Sequence, residues 1–572
     1  MKNKIWIFIL LALMLAFTGA KAQYLGGNGR GDIALTKTLL KLGNNDIYLG
    51  GNGRGDIAVT KTSTRLGNNF VTAGNWSVTA NWSAAALPGT DEIAYIMADA
   101  TLDQDVTING LSIHTGNSLT IPSGKTLTVT GTLANDAGNT GLVIKSDGSG
   151  AGSLIHSTAN VKATIERYIG AWSVNHGWHF LSCPMVAEAI QPHFVPNPPG
   201  SNQDFYKWDE PSNVWVNTKT EAGAWNTDFE SGFASGHGYL VAYNAEVTKI
   251  FRDSINVVGV SVSGLTNTSG KTYRGWHLLG NPFASAIKWS QGTWNKTNIG
   301  ANPQIWDEAT ASYKVLAGDG IIPAMNGFMV YTTGSGSLTI PANARLHSDG
   351  AWYKSGKEDR ILLVAHDPQG NTAQESIIRF NSGATENFDM DYDSYFLAGF
   401  APNFYSVAGD EHFALNTLPV LTEGLSIPLG FVKNASSGFN IELQETMEGI
   451  TIYLTDLKTN TNQNLSKSPV YTFTAEEGDL PDRFKLTFGN VGFSEPSISP
   501  FSIYSGNGAI YINNGNQIVE GTVTIYSITG QAITTRSLSG DRLQKLSFNG
   551  KPGCYIVRVT TDKGVYSQKI IL

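Results

Sequence analysis

At 572 residues the chain is long enough for several domains of roughly 100–200 residues each. Charged residues make up 15% where about 25% is usual, and 63 residues are glycine, which favours strands joined by tight turns over long charged helices. A net charge of 39 − 47 = −8 excludes the basic footprint of a nucleic-acid binder, and 41% hydrophobic residues exclude wholesale disorder.

The N-terminus reads MKNKIWIFILLALMLAFTGAKAQ: Lys2 and Lys4, then an apolar run from Ile5 to Phe17, then Ala20-Lys21-Ala22 before Gln23. This is the pattern of a secretory signal peptide over 1–22, with A-x-A cleavage marked by Ala20, Ala22 and Gln23. The apolar run is shorter than the ~20 residues that span a bilayer, which argues against a membrane anchor. Cys183 and Cys554 fall in different predicted domains and are read as unpaired. A catalytic thiol at Cys183 has no local family signature to support it.

Residues 23–70 hold two 24-residue repeats, Tyr24-Leu-Gly-Gly-Asn-Gly-Arg-Gly-Asp and its copy from Tyr48, each with a glycine-rich turn and a short alternating run. Both contain Arg-Gly-Asp, at Arg30-Gly31-Asp32 and Arg54-Gly55-Asp56; the reading adopted is a turn rather than an integrin ligand. Over 71–167 short period-two runs predict a β-solenoid-like region, with a tightly wound sandwich as the alternative. Leu111-Ser-Ile113, Leu119-Thr-Ile121 and Leu127-Thr-Val129 begin eight residues apart. Trp76 and Trp82, in two Asn-Trp-Ser motifs, either close the solenoid end or offer stacking surfaces to a ligand.

A longer duplication follows, predicting β modules over 168–262 and 263–350. Gly177-Trp-His-Phe-Leu-Ser-Cys-Pro184 matches Gly275-Trp-His-Leu-Leu-Gly-Asn-Pro282, and Trp208-Asp209-Glu210 matches Trp306-Asp307-Glu308, both offset by 98. Gly238-Tyr-Leu-Val241 matches Gly327-Phe-Met-Val330, offset by 89. Adjacent carboxylates on a strand face opposite ways, so neither acidic pair is preset for acid and base work at a glycosidic bond. Structural roles are expected for them and for His179 and His277.

Strand-like runs over 356–492 predict a β-sandwich. Within it Asp389, Asp391 and Asp393 alternate as in a calcium loop, but Ser394 stands where glycine and Phe400 where a bidentate glutamate would be needed. Calcium is thus a weak candidate, and no other cofactor is expected. No H-E-x-x-H, P-loop, G-x-S-x-G or C-x-x-C occurs, so no catalytic residue is assigned.

The last segment, 499–572, alternates as about seven short strands. Gly521-Thr-Val-Thr-Ile-Tyr-Ser-Ile-Thr-Gly530-Gln531, then Gly553-Cys-Tyr555-Ile-Val557-Arg558-Val559, then Lys569-Ile-Ile-Leu follow in order. These blocks resemble the type A C-terminal sorting domain of type IX secretion substrates in Bacteroidota. The resemblance implies an Ig-like β-sandwich and a sorting role for Gly530, Gln531, Gly553, Tyr555, Val557, Arg558, Val559 and Lys569. It implies the type IX machinery as partner, and transport through the periplasm to the surface or the medium, with possible joining to surface lipopolysaccharide. Cys554 departs from the small or aliphatic residue usual there. The remainder is expected to be an adhesin for an unidentified glycan or protein ligand, since modular β repeats carry 13 Trp and 21 Tyr without a convergent catalytic set. A secreted polysaccharide-degrading enzyme and a structural surface-layer protein are the alternatives.

Overall fold

A computed structural model describes residues 41–42, 45–46 and 67–571, apart from 174–175, 318–319, 349–358, 423, 490–501, 507–508, 514–519, 539–540, 542, 549, 552 and 563. The protein is all-β, 51% strand and 2% helix. The signal-peptide positions Ala20, Ala22 and Gln23 and both Arg-Gly-Asp turns lie outside the described residues. The described residues form two compact units. One lies within 1–358 together with 370–374 and 388–401; the other takes 359–369, 375–387 and 402–572.

The first unit begins as a parallel β-solenoid with three faces. Leu111, Leu119 and Leu127 each lie on a different face, so the eight-residue spacing is one side of a triangular coil. The same face returns 133 − 111 = 22 residues later, where Leu133 pairs with Leu111. Alternation drives this stacking: Ile113, Leu119, Ile121, Leu127, Leu142 and Ile144 point inward and are fully buried, forming a single apolar column.

Burial separates the two readings of Trp76 and Trp82. They are 1% and 2% exposed, and Trp82 Nε1 donates to Trp76 O at 2.8 Å. Their rings pack edge-on with centroids 4.7 Å apart, and Trp82 also meets Phe70. Neither indole offers a free face, so they are lid residues of the first coils and not a stacking platform. Trp82→Ala is expected to cost about 3–5 kcal/mol locally. Hydrogen exchange should show this as faster exchange confined to the early coils.

The last solenoid strand, Lys162–Ile169, pairs in antiparallel register with Val247–Ser254 from the first repeated module. Both modules share one strand order. In the first it is His179–Leu181, Tyr239–Tyr243, Gln203–Asp209, Val214–Asn217; in the second it is Trp276–Gly280, Gly327–Ile340, Gln304–Asp307, Ser312–Val315. The duplicated sequence thus folds twice into the same sheet.

In the second unit ten strands within 361–489 form one hydrogen-bonded path, from Thr461–Asn464 at one end to Val470–Thr474 at the other. Phe431, Phe439, Phe473 and Phe484 share one core although their strands are spread along that path, so the sheet folds over on itself into layers. The C-terminal strands form a sheet of three and a sheet of four, all antiparallel. Ile510, Ile512, Val523, Ile525, Val557 and Val559 fill the space between them.

Candidate functional site

The two modules of the first unit touch each other reciprocally. Trp208 Nε1 donates to Trp276 O at 2.7 Å, and its equivalent Trp306 Nε1 donates to Trp178 O at 2.8 Å. Gly280 N donates to Gly236 O at 2.8 Å, while the equivalent Ser182 N donates to Met325 O at 3.0 Å. The repeated Gly-Trp-His and Trp-Asp-Glu motifs therefore build a pseudo-twofold joint. Gly177 and Gly275 both start it at positive φ (+81° and +78°), which explains the glycine kept in both copies.

Successive residues on a strand point to opposite sides, and here that rule separates two concavities. Trp178 and Trp306 go to an aromatic side, and His179 and Asp307 go to a polar side. Glu308 lies past the strand end at Asp307, in the turn, and so joins Asp307 on the polar side instead of facing away from it as expected of adjacent strand carboxylates. The aromatic concavity is a groove of about 350 Å³ lined by Trp178, Tyr206, Trp215, Trp306, Tyr313 and Phe400, among others. Trp306 packs edge-on against Tyr313 and Phe400. The pseudo-symmetric aromatics around Trp276 and Tyr331 are instead covered by Phe388, Tyr395 and Leu397. One half of a duplicated aromatic cluster is closed and the other is open. At the edge of the groove burial, then the nearby Asp204 charge, raises the Tyr206 phenol above its ordinary value.

The polar concavity, about 400 Å³, is lined by Asp147, Arg167, Tyr168, His179, Asp307 and Glu308 with Gly148, Gly150, Gly170 and Ala309. Glu308 Oε1 meets His179 Nδ1 at 2.5 Å, and His179 Nε2 lies 3.1 Å from Gly170 O. Asp307 pairs with Lys314 at 2.9 Å and accepts from Thr310 Oγ1 and Ala309 N. Asp147 accepts from the Ser149 amide and hydroxyl, which hold its carboxyl below the ordinary range. Arg167 is 8% exposed; burial lowers its guanidinium pKa, opposed by the Glu308 charge.

The acidic pairs thus have unequal fates. Glu210 is 1% exposed and accepts from the Thr266 hydroxyl, from Thr268 N (2.7 Å), from Thr268 Oγ1 (2.8 Å) and from Gly275 N (2.8 Å). Burial alone would raise its carboxyl, but these four donors outweigh it and hold the pKa low. The structural role expected from the sequence fits Glu210, whereas Glu308 opens onto a concavity. Cys183 is buried beside Met185, and burial pushes its thiol far up; it is packing material, not a nucleophile.

At the calcium candidate Asp393 is buried with Oδ2 accepting from Asp389 N at 2.7 Å, and Asp391 is exposed. The turn closes on itself, and among the described residues no group of three His, Cys, Asp or Glu side chains converges as a metal site. Neither concavity was read from the sequence. Tyr206, Trp215, Tyr313 and Phe400 carry no local motif; the usable signal was the second copy of Trp-Asp-Glu, which places Trp306 against Trp178.

In the C-terminal sandwich Gly530 turns the chain at φ +85°, with Gly530 N donating to Ser527 O and Gln531 N to Ser527 Oγ. Val557 and Val559 are buried, while Arg558 between them and Lys569 on the paired last strand are exposed. Ile556 lies directly opposite Lys569, so Arg558 and Lys569 share the outward face. Tyr555 OH donates to Lys551 O at 2.7 Å and packs on Phe548, beside Gly553.

This fold and tail define a Bacteroidota surface protein exported by type IX secretion: residues 506–572 match the secretion system C-terminal sorting domain. Residues 69–319 and 308–488 match a family described as a domain of unknown function, DUF8693, and the chain belongs to that family. The minor fimbrium subunit Mfa5 of Porphyromonas gingivalis is 23% identical over 531 residues, covering 80% of this chain. The chain spans 42% of that relative's length. Among solved structures, a biofilm associated protein BSP domain aligns over 73% of this chain and 96% of its own at 11% identity, with a TM-score of 0.12.

Proposed function

We propose that this secreted surface protein is an adhesin whose aromatic groove takes carbohydrate rings. The observation that carries the reading is the open half of the duplicated cluster, where Trp178, Tyr206, Trp215 and Phe400 line a concavity with room for a sugar ring. The naming of the relative as a fimbrium subunit supports a place on a surface fibre. Joining of the exported cargo to lipopolysaccharide after loss of the tail belongs to the same proposal.

Glycan-array binding by the full chain is expected, with Trp215→Ala and Trp178→Ala each weakening the best ligand about tenfold or more, as truncation of a central aromatic anchor does. No glycan above background, or equal binding by both variants, would remove the carbohydrate reading. An enzyme reading draws less support, because Asp147, Asp307 and Glu308 are each engaged by neighbouring groups.

A further inference from the structure

The second module carries a strand with an open edge. Asn295–Ile299 pairs with Gly327–Ile340 on one side, and among the described residues no strand pairs with it on the other. Such an edge presents unpaired N–H and C=O groups to any strand that can approach. Lys296 lies directly opposite Leu338, which in turn lies opposite Val262 across the same central strand. Cross-strand partners share a face, so Lys296 belongs to the row that carries Leu338 and Val262 into the core at 1% and 4% exposure. A lysine thus stands where the pattern calls for an apolar residue. Its Nζ sits 3.7 Å from the Trp289 ring centroid and 5.8 Å from that of Trp294. Burial pushes the ammonium pKa down to about 8, with no carboxylate among the described residues to oppose it. The residue as a whole stays exposed, because the margin beside it is uncovered. Two further features blunt this margin. The register shifts between Thr297 and Ile299, where Asn298 takes φ +56°. At the matching place 98 residues earlier the first module reads Asn197-Pro198-Pro199-Gly200-Ser201 and forms no strand.

We propose that Lys296 bars edge-to-edge pairing between two copies of this chain, and that without its charge Asn295–Ile299 of one molecule adds antiparallel to the same strand of another. A strand added at this edge would continue the inward face of the sheet and cover the margin through which the ammonium reaches water. The charge would then be sealed among Trp289, Trp294 and Leu338 with no anion to meet it, and that desolvation outweighs the few hydrogen bonds of so short a strand. Self-pairing about a twofold axis would also bring two such ammonium groups to one seam. Replaced by an apolar side chain, the same position would extend the Val262 and Leu338 row into a surface that a second copy completes. The edge shares no residue with the aromatic groove, so the two readings stand or fall separately.

The test is sedimentation of the full chain beside Lys296→Met, Lys296→Val and Lys296→Arg over a concentration series. The Met and Val variants are expected to self-associate at least about tenfold more tightly than the parent, and the Arg variant, which keeps the charge, to behave as the parent does. Hydrogen exchange in Asn295–Ile299 of the Met variant should slow as concentration rises, which places the new contact on this edge. Folding of each variant is checked at low concentration by unchanged exchange in Trp276–Gly280 and Gly327–Ile340, and the two neutral side chains differ in shape so that one packing fault does not decide the outcome. The proposal is overturned if the folded Met and Val variants sediment as the parent does at the highest soluble concentration. It is equally overturned if the Arg variant associates with them, or if association leaves exchange in Asn295–Ile299 unchanged.

Discussion

Deletion of residues 501–572 is expected to hold the remaining chain in the periplasm, while the full chain reaches the cell surface or medium. Cell fractionation and surface protease shaving read the difference, which should be close to all-or-none. The match of residues 506–572 to the sorting domain and the seven-strand sandwich both support this. The sandwich also separates two kinds of signal residue. Val557 and Val559 hold the core, so polar replacements there should unfold the tail and block export indirectly. Arg558 and Lys569 are exposed on one face and contribute nothing to the core. Arg558→Glu with Lys569→Glu should therefore block export of a tail that is still folded, as judged by its protease resistance. Equal surface delivery of the full chain and the deletion would end the sorting assignment.

A large single-residue effect on stability is expected at Asp456 and Arg483. Arg483 Nε and Nη2 donate to the two carboxylate oxygens of Asp456 at 3.0 and 2.7 Å, and Tyr471 OH adds a third bond at 2.9 Å. Both side chains are almost fully buried, and the guanidinium lies against the rings of Phe473 and Phe484. Arg483→Met leaves a buried carboxylate without its counter-charge, held only by Tyr471 OH and Lys458 N, and should cost about 3–5 kcal/mol, and Asp456→Asn should cost a similar amount. The double replacement Asp456→Leu with Arg483→Met removes both charges and should recover most of the loss. Hydrogen exchange in Thr451–Asp456 and Phe484–Gly489 gives the local readout. A single variant as stable as the parent would show that the pair is not under strong mutual dependence.

The same pair sets a pH dependence. Burial on its own would raise the Asp456 carboxyl, but the Arg483 and Tyr471 bonds and the Arg483 charge outweigh it, so the folded pKa is lowered. A lowered carboxylate pKa gives stability that is complete above the unfolded value, ~3.9, and lost as pH falls through the folded value. The parent should therefore loosen in these strands only in strong acid, and the double apolar variant should lack that component.

Much of the architecture was legible because it repeats. The eight-residue spacing of Leu111, Leu119 and Leu127 reports the side length of the coil, and the 98-residue offset reports two sheets of one topology. Period-two alternation survives in any strand buried on one face, so short windows sufficed. The sites were not legible in the same way. Trp76 and Trp82 look alike as lid or platform until Trp82 is seen donating to Trp76 O. The aromatic groove gathers Trp178, Tyr206, Trp306 and Phe400, separated by up to 222 residues, and no local window contains that. Glu210 and Glu308 have identical sequence neighbours, Trp-Asp before each, yet one is saturated and the other open. The difference lies in the loop that each faces, which is fixed by the reciprocal joint and not by the motif.

The antiparallel strand Val247–Ser254 on the last solenoid strand changes what the solenoid can do as a polymer. A stack of parallel rungs invites another rung of the same direction at its exposed edge. Here the added strand reverses direction, and its outer edge is occupied: Arg252 N bonds to the Glu188 carboxylate, and Ser254 O accepts from Val186 N. Lys249 and Arg252 add charge along that margin. Growth by rung-on-rung addition is therefore terminated at this end. Any filament that incorporates the protein must join it through some other surface, so filament length and solenoid length are uncoupled.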